Sequence, residues 1–586
     1  MDYTLTTTKG EEKKKTLGSA WESLAPLLAS QKKNITIALV SVVISSAANL
    51  LTPVLIARVI DTAIAQKDFT LVMQYAGFLL VVYLIGLVAA YIQTIRMGTV
   101  GRGVVFSLRN SLFTKLSSLP IAFFNANKAG DLISRVNNDT DKLNQFFSQA
   151  LMQFFGNFFI ILGAGILLVS LNWRLGLVAL VPALVVLVIT QLLGGWVKET
   201  SRAGLQSLGS MSGEIQESLA NFKVIVAFNR LDYFREKFNE SNQKNYKASV
   251  LAGIASNLFA PLYTLAATAA QIAVLAYGIL LITQGQLTIG LLIGYLLYVT
   301  SFYNPLRQLA SVWSSLQLAL ASLDRISEVL ALKSNLEIVS STAVVPTSSL
   351  LTFKDVSFGY TGGKTVLEKV NFNLEKGQTY ALVGPTGGGK TTTASLMARL
   401  YDPTAGAIYL DGRDIRSYSD EERARKIGFI LQEPFLFSGT VRDNIVYGNA
   451  ELIDLSDEEL LARLKSANLD RLMERFSEGL GTKTSATGDA LSLGQKQLLA
   501  FMRAVLRAPE LLILDEATAN IDTVTEQLLE EILEQLPKET TKVIIAHRLN
   551  TIQSADDIFF INGGTITEAG SMEHAVDMLL HGKRAS

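Results

Sequence analysis

The chain has 586 residues whose 52 Lys+Arg cancel 52 Asp+Glu, a balance that gives no sign of a polyanionic partner and argues against a nucleic-acid binder. Charged residues make up 18%, against roughly 25% in an average soluble protein, and a deficit of that size has to come from long apolar stretches, which argues against a purely soluble enzyme. With no cysteine and three histidines, disulfides, thiol chemistry and Cys-zinc sites are excluded and a His-rich metal site is disfavoured, while the length calls for two folding units rather than one core.

Residues 1–30 are polar and lysine-rich, without the apolar core of a cleavable signal, so the first apolar span is expected to serve as the targeting signal. Within them Ala20 to Ser30 (AWESLAPLLAS) reads either as a short interfacial helix anchored by Trp21 or as a plain linker. Apolar segments follow at about Ile35 to Ile60, Leu71 to Ile95, Leu151 to Leu171 and Leu175 to Trp196. Leu251 to Thr300 carries no charge of either sign and is broken by the polar turn TQGQ at Thr283 to Gln286, which makes two more spans. Each is long enough to cross hydrocarbon of about 30 Å, and six in one half of the chain predict an all-α membrane domain over 31–330.

Loop charge orients it. The stretches 97–150 and 197–250 carry six and eight Lys/Arg and the segment before the first span six more, whereas the opposite loops hold only Lys67 and Arg174. The positive-inside rule puts both termini and the two long loops in the cytoplasm. Those loops contain helical patterns (GDLISRVNNDTDKLNQFF and SGEIQESLANFKVIVAFNRLDYFREKF), so the spans are expected to continue as helices well below the bilayer. Near Leu330 the composition changes to SNLEIVSSTAVVPTSSL, with Pro346 and no helical period, which places a linker at 331–348 before a second domain at 349–586.

That domain opens as strand and turn and reaches Gly384-Pro385-Thr386-Gly387-Gly388-Gly389-Lys390-Thr391-Thr392, a G-x-x-x-x-G-K-[ST] loop between an apolar strand and a helix. Its glycines let backbone N–H groups turn toward phosphate oxygens, the helix N-terminus adds partial positive charge, Lys390 reaches the outer phosphates and Thr391 offers a hydroxyl to Mg²⁺. A second apolar strand, Leu511 to Leu514, runs into Asp515 and Glu516. Asp515 is poised to hold Mg²⁺ through water. Glu516 reads either as the acceptor of a proton from attacking water or as an acid at a helix N-terminus.

This half resembles the nucleotide-binding domain of ATP-binding cassette (ABC) transporters, and with six spans before it the whole chain resembles an exporter-type half-transporter. The resemblance implies an α/β P-loop domain binding ATP and Mg²⁺. It assigns the signature helix to Leu491-Ser492-Leu493-Gly494-Gln495, the Q-loop to Gln432, the D-loop to Ala519–Asp522 and the switch histidine to His547. Tyr360 falls where the family stacks an aromatic on adenine, and the stretches Phe123 to Asp141 and Glu217 to Phe228 resemble its two coupling loops. By that resemblance Glu516 is the general base, Lys390 and His547 attend the γ-phosphate, and Thr391, Gln432 and Asp515 hold the metal. Ser492, Gly494 and Gln495 would face ATP on an opposite subunit, so one chain cannot complete a site and a second half-transporter is implied.

The signature departs from the commoner LSGGQ by placing Leu493 where a glycine allows close approach, and TKTSATGDA before it lacks the usual acidic-Arg run. Both departures resemble the subunit of heterodimeric exporters that keeps a complete carboxylate pair and lends its partner a weakened signature, which favours a heterodimer over a homodimer. Within the spans the polar residues are Asn49, Gln93, Gln153, Asn157, Asn257, Gln271 and Asn304, with Arg58 and Arg307 near span ends. So few charges suit small hydrophobic or amphipathic drugs, lipids or lipid-linked molecules better than a small hydrophilic ion, and the resemblance implies their export across the cytoplasmic membrane. An importer on the same scaffold, or a regulatory or channel-type subunit, is the alternative.

Overall fold

The computed structural model describes residues 3, 5, 28–333, 336, 338–339, 348–360, 363–485, 491–515, 523–545 and 553–581. The chain divides into two compact units, one of Gly10–Leu116 and Gly130–Ala331, the other of Met1–Lys9, Ser117–Ala129 and Leu332–Ser586.

The first unit holds six helices long and apolar enough to cross a membrane: Lys32–Ile64, Phe69–Ser117, Ala129–Leu171, Trp173–Ala220, Leu231–Thr283 and Ile289–Ala331. The second and fourth run to 49 and 48 residues, about 73 Å at 1.5 Å per residue, so they extend far past a 30 Å hydrocarbon layer as the loop patterns predict. Their packing uses small side chains. Ala164, Ala179, Ala183, Ala266 and Ala270 are buried between neighbouring helices, letting backbones approach where lipid offers no hydrophobic drive. At Gly290 backbone meets backbone: a Cβ there would lie 2.3 Å from the carbonyl oxygen of Ala57.

The sixth span is fastened on three sides by tyrosines. Tyr295 donates to Leu168 O (2.8 Å), Tyr298 to Leu50 O (2.5 Å) and Tyr303 to Ala179 O (2.9 Å), reaching the third, first and fourth spans. Farther along, buried Arg135 bonds Asp131 (3.0 Å) and Glu328 (2.7 Å), while Arg325 pairs with Asp131 (2.6 Å) and Asp139 (3.3 Å). This charge cluster ties the start of the third span to the end of the sixth. Neighbouring opposite charges offset the desolvation of a guanidinium that is 1% exposed.

The second unit is α/β. Strands β1 (Ser349–Gly359), β2 (Thr365–Glu375), β3 (Thr379–Val383), β4 (Ala405–Leu410), β5 (Arg413–Asp414), β6 (Ile427–Ile430), β7 (Gly439–Thr440), β8 (Lys483–Thr484), β9 (Leu511–Asp515), β10 (Thr541–Ile545), β11 (Asp557–Asn562) and β12 (Thr565–Glu568) form three sheets. A four-stranded antiparallel sheet has the order β2-β1-β4-β5 and a six-stranded one β12-β11-β3-β10-β9-β6, parallel from β11 to β6. Strands β3 and β9 are buried throughout, which is why their sequences (TYALV and LLILD) are apolar runs rather than alternations. A second core gathers the helical segment between β6 and β9 around Leu460, Leu464, Leu469, Leu499 and Met502.

Ser117–Ala129, which the sequence places in the membrane domain, clusters with this unit instead. Its helix Ile121–Ala126 sets Asn125 Nδ2 2.7 Å from Tyr401 Oη. The N-terminal segment, expected as a polar tail, contributes two buried residues here. Leu5 N donates to Asn127 Oδ1 (3.0 Å), Asn127 Nδ2 to Tyr3 O (2.9 Å), and the Tyr3 ring meets Phe123 edge-on. The interfacial helix read at Ala20 to Ser30 lies almost wholly outside the described residues, as does most of the 331–348 linker.

Candidate phosphate-binding site

Strand β3 ends at Val383 and the chain turns through Gly384 to Gly389 into the helix Lys390–Met397. The loop needs glycine for two separate reasons. Gly384 has φ 146° and a Cβ on it would lie 2.0 Å from Ile561 O, while Gly389, the residue before the helix, has φ 114°. Gly389 brings no side-chain cap, so the positive end of the helix is left to whatever anion the loop encloses. Lys390 is buried and its Nζ lies 2.8 Å from Gly384 O and 3.1 Å from Pro385 O, which folds the ammonium into the loop.

The register of the large sheet gathers the other candidates. Leu382 of β3 pairs with Ile545 of β10, Ile545 with Asp515 of β9, and Leu514 with Ile430 of β6. The C-terminal ends of four parallel strands therefore share one edge. Gln432 follows β6 by two residues and stands exposed at that edge. Thr391 Oγ1 lies 3.5 Å from Asp515 Oδ1. These two hard oxygen donors, a hydroxyl and a carboxylate beside a phosphate loop, fit Mg²⁺, which accepts few protein ligands and completes its shell with water and phosphate. Glu516 and His547 lie outside the described residues; the strands that precede them end at this edge in register.

Tyr360 directly follows β1 and is half-exposed, with its hydroxyl 3.0 Å from Thr392 Oγ1 and its ring edge-on to Tyr401 at 5.4 Å. Tyr401 was not singled out by the sequence; its place in LYDPT, directly after the loop helix, was the signal present. Burial pushes its phenol above the ordinary value, an effect the Asn125 amide partly offsets, so Tyr401 stays neutral. Ile561, whose carbonyl backs Gly384 and Gly388, had no sequence signal.

A second helix N-terminus belongs to Leu493–Val505. Ser492 Oγ accepts from Gln495 N (3.2 Å), Ser492 N donates to Gln495 Oε1 (2.9 Å), and Gln495 Nε2 reaches Arg475 O (2.7 Å). This reciprocal cap leaves the Ser492 hydroxyl proton available, while Gln495 is occupied within its own chain. Leu493 is 41% exposed at the first helical position.

Of the intramembrane polar residues, Gln153 bonds Gln308 (3.0 Å), Gln271 bonds Thr300 (3.0 Å) and Asn257 bonds its own helix at Gly253 O. Asn157 is buried, and Asn49, Asn304, Arg58 and Arg307 are exposed in the single chain.

Comparison with known proteins matches residues 35–306 to the ABC transporter transmembrane region family and residues 367–519 to the ABC transporter family. An uncharacterized ABC transporter ATP-binding protein of Bacillus subtilis, YfiC, is 36% identical over 97% of this chain and 93% of its own length. A fatty acid ABC transporter ATP-binding/permease protein of Mycobacterium bovis is 32% identical over 86% of this chain and 79% of its own. A multidrug resistance ABC transporter ATP-binding and permease protein of Lactococcus lactis is 32% identical over 83% and 82%.

Proposed function

Because this chain belongs to the ABC transporter family and joins an ATPase to a multipass membrane domain, we propose that it exports hydrophobic or amphipathic compounds across the cytoplasmic membrane by alternating access. The observation that carries the reading is the convergence of the Gly384–Gly389 loop, Thr391 and Asp515 on one sheet edge, in a chain whose relatives are named for multidrug resistance and fatty acids. Positive cytoplasmic loops support an inward-facing ATPase domain and termini.

In this reading the loop amides and Lys390 hold the nucleotide's phosphates and Tyr360 stacks on its base. Thr391, Asp515 and Gln432 hold Mg²⁺, which supplies charge neutralisation on the transferring phosphoryl group when bound. Glu516 accepts the proton of the attacking water, and His547 donates to the γ-phosphate. Ser492 and the backbone at Gly494 face the nucleotide of a partner half. The Gln495 side chain, engaged at Arg475 O, acts by capping its helix. Leu493 supports a heterodimer in which this chain's own carboxylate pair works against the partner's signature. The domain limits follow the linker at 331–348, with Ser117–Ala129 acting as the first coupling segment.

Vesicles of known orientation test direction and substrate together. ATP-dependent extrusion of a dye, lipid or alkyl compound from the ATPase side is the expected result, and uptake toward that side overturns export. Vigorous transport-coupled hydrolysis by this chain alone overturns the heterodimer.

A further inference from the structure

The sixth span leaves one face uncovered in a way that its polarity does not explain as lipid contact. Tyr295 and Gln308 turn toward the third span, Tyr298 toward the first and Tyr303 toward the fourth, while Thr300 meets Gln271 of the fifth. On the remaining face Asn304, Arg307 and Ser314 follow at i, i+3 and i+10 and are all exposed. Among the described residues Asn304 and Arg307 side chains have no partner.

Depth makes this costly. From the helix start at Ile289, Arg307 lies about 27 Å along the axis, near the inner edge of the hydrocarbon, and Asn304 about 22 Å along it. An arginine alone there can reach the interface by stretching its side chain; Asn304, short and deeper, cannot. Toward the outer end the same face becomes apolar with Leu297, Ile293 and Ile289. The face thus grades from a cation at the cytoplasmic side to hydrocarbon over about 27 Å, the pattern of one headgroup and one alkyl chain.

We propose that this face is a headgroup site for anionic single-chain amphiphiles, with Arg307 pairing the carboxylate or phosphate monoester, Asn304 donating a further hydrogen bond and the alkyl chain lying along Leu297 and Ile293. A guanidinium matches either headgroup through paired N–H donors. The assignment rests on the export reading and narrows its substrate class.

The test uses the transporter, assembled with its partner half in lipid vesicles, and three probes of equal chain length: sodium dodecanoate, dodecyl phosphate and dodecanol. At least one anion should half-saturate stimulation of ATP hydrolysis at a concentration about tenfold below that of dodecanol. Arg307→Gln should erase that difference and Arg307→Lys should keep part of it. An advantage for one anion only supports the site and identifies its headgroup. Equal potency of alcohol and both anions in the unaltered protein, or an anion advantage that survives Arg307→Gln, overturns it. Because the chain lacks cysteine, Asn304→Cys gives an independent reading. Modification by a charged thiol reagent that dodecanoate slows supports the site; a crosslink to the partner half at that position in both nucleotide states assigns the face to dimer contact and overturns it. Extrusion of neutral compounds without anion preference removes this site alone, whereas absence of any ATP-driven extrusion removes the export reading beneath it.

Discussion

Two helices of the ATPase unit begin at positions that the sequence marks for phosphate, and they are built in opposite ways. Lys390–Met397 starts from Gly389, with a left-handed backbone and no side-chain cap, so its positive end is open. Leu493–Val505 starts from Ser492 and closes its own end with the Ser492–Gln495 box. An open end must be filled by a ligand, whereas a capped one is stable without it and adds only what is left over, here a hydroxyl proton and a backbone. One chain therefore carries one helix end left open and one that is largely closed by its own side chains. Leu493, exposed at the first position of that capped helix, puts a bulky side chain where a glycine would leave backbone bare.

Substitutions can break this contrast or sharpen it. The largest effect is expected from Glu516→Gln, the proposed general base: hydrolysis should fall by about 10²–10⁴-fold with nucleotide binding retained, measured as turnover against equilibrium binding of a fluorescent ATP analogue. Gly384→Ala pushes a methyl group into Ile561 O and should weaken ATP binding by roughly 10- to 100-fold, the equivalent of 1–3 kcal/mol of strain, read by the same binding titration. At the capped end Ser492→Ala should cost about 1 kcal/mol of helix stability, seen as earlier thermal unfolding, while nucleotide affinity of this chain's own loop stays unchanged. Leu493→Gly is the mildest: it should raise hydrolysis by the assembled transporter roughly threefold, less than 1 kcal/mol in barrier, by letting backbone approach phosphate. Unchanged hydrolysis in that variant would remove Leu493 as the cause of asymmetry.

Much of this was legible in the residues because the determinants are local. Gly384 to Thr391 are contiguous, Asp515 ends an apolar run, Ser492 and Gln495 are three apart, and a charge-free stretch such as Leu251 to Thr300 has few folded solutions. Pairings across hundreds of residues were not. Asn125 and Tyr401 are 276 positions apart, and Arg135 meets Glu328 across 193. Nothing in NANK or SRVN says that its partner lies in LYDPT or ISEV. The placement of Ser117–Ala129 with the ATPase unit escaped for the same reason, since its affinity for Tyr401 and Tyr3 is a property of the folded surfaces. The exposed face of the sixth span was half visible: Asn304 and Arg307 stood out as polar, but only the directions taken by Tyr295, Tyr298 and Tyr303 show which side of the helix they occupy.

Those three tyrosines also limit how the membrane unit can move. Each phenol donates to a main-chain carbonyl on a different neighbour, and hydrocarbon offers no water to replace a dropped acceptor. Slipping the sixth span by half a turn, about 2.7 Å, would strand three hydroxyls at once, each midway between two carbonyls of its neighbour. Tilting it together with the first, third and fourth spans strands none. The bonding pattern therefore couples the sixth span to three neighbours, so that the four move together more easily than the sixth moves alone.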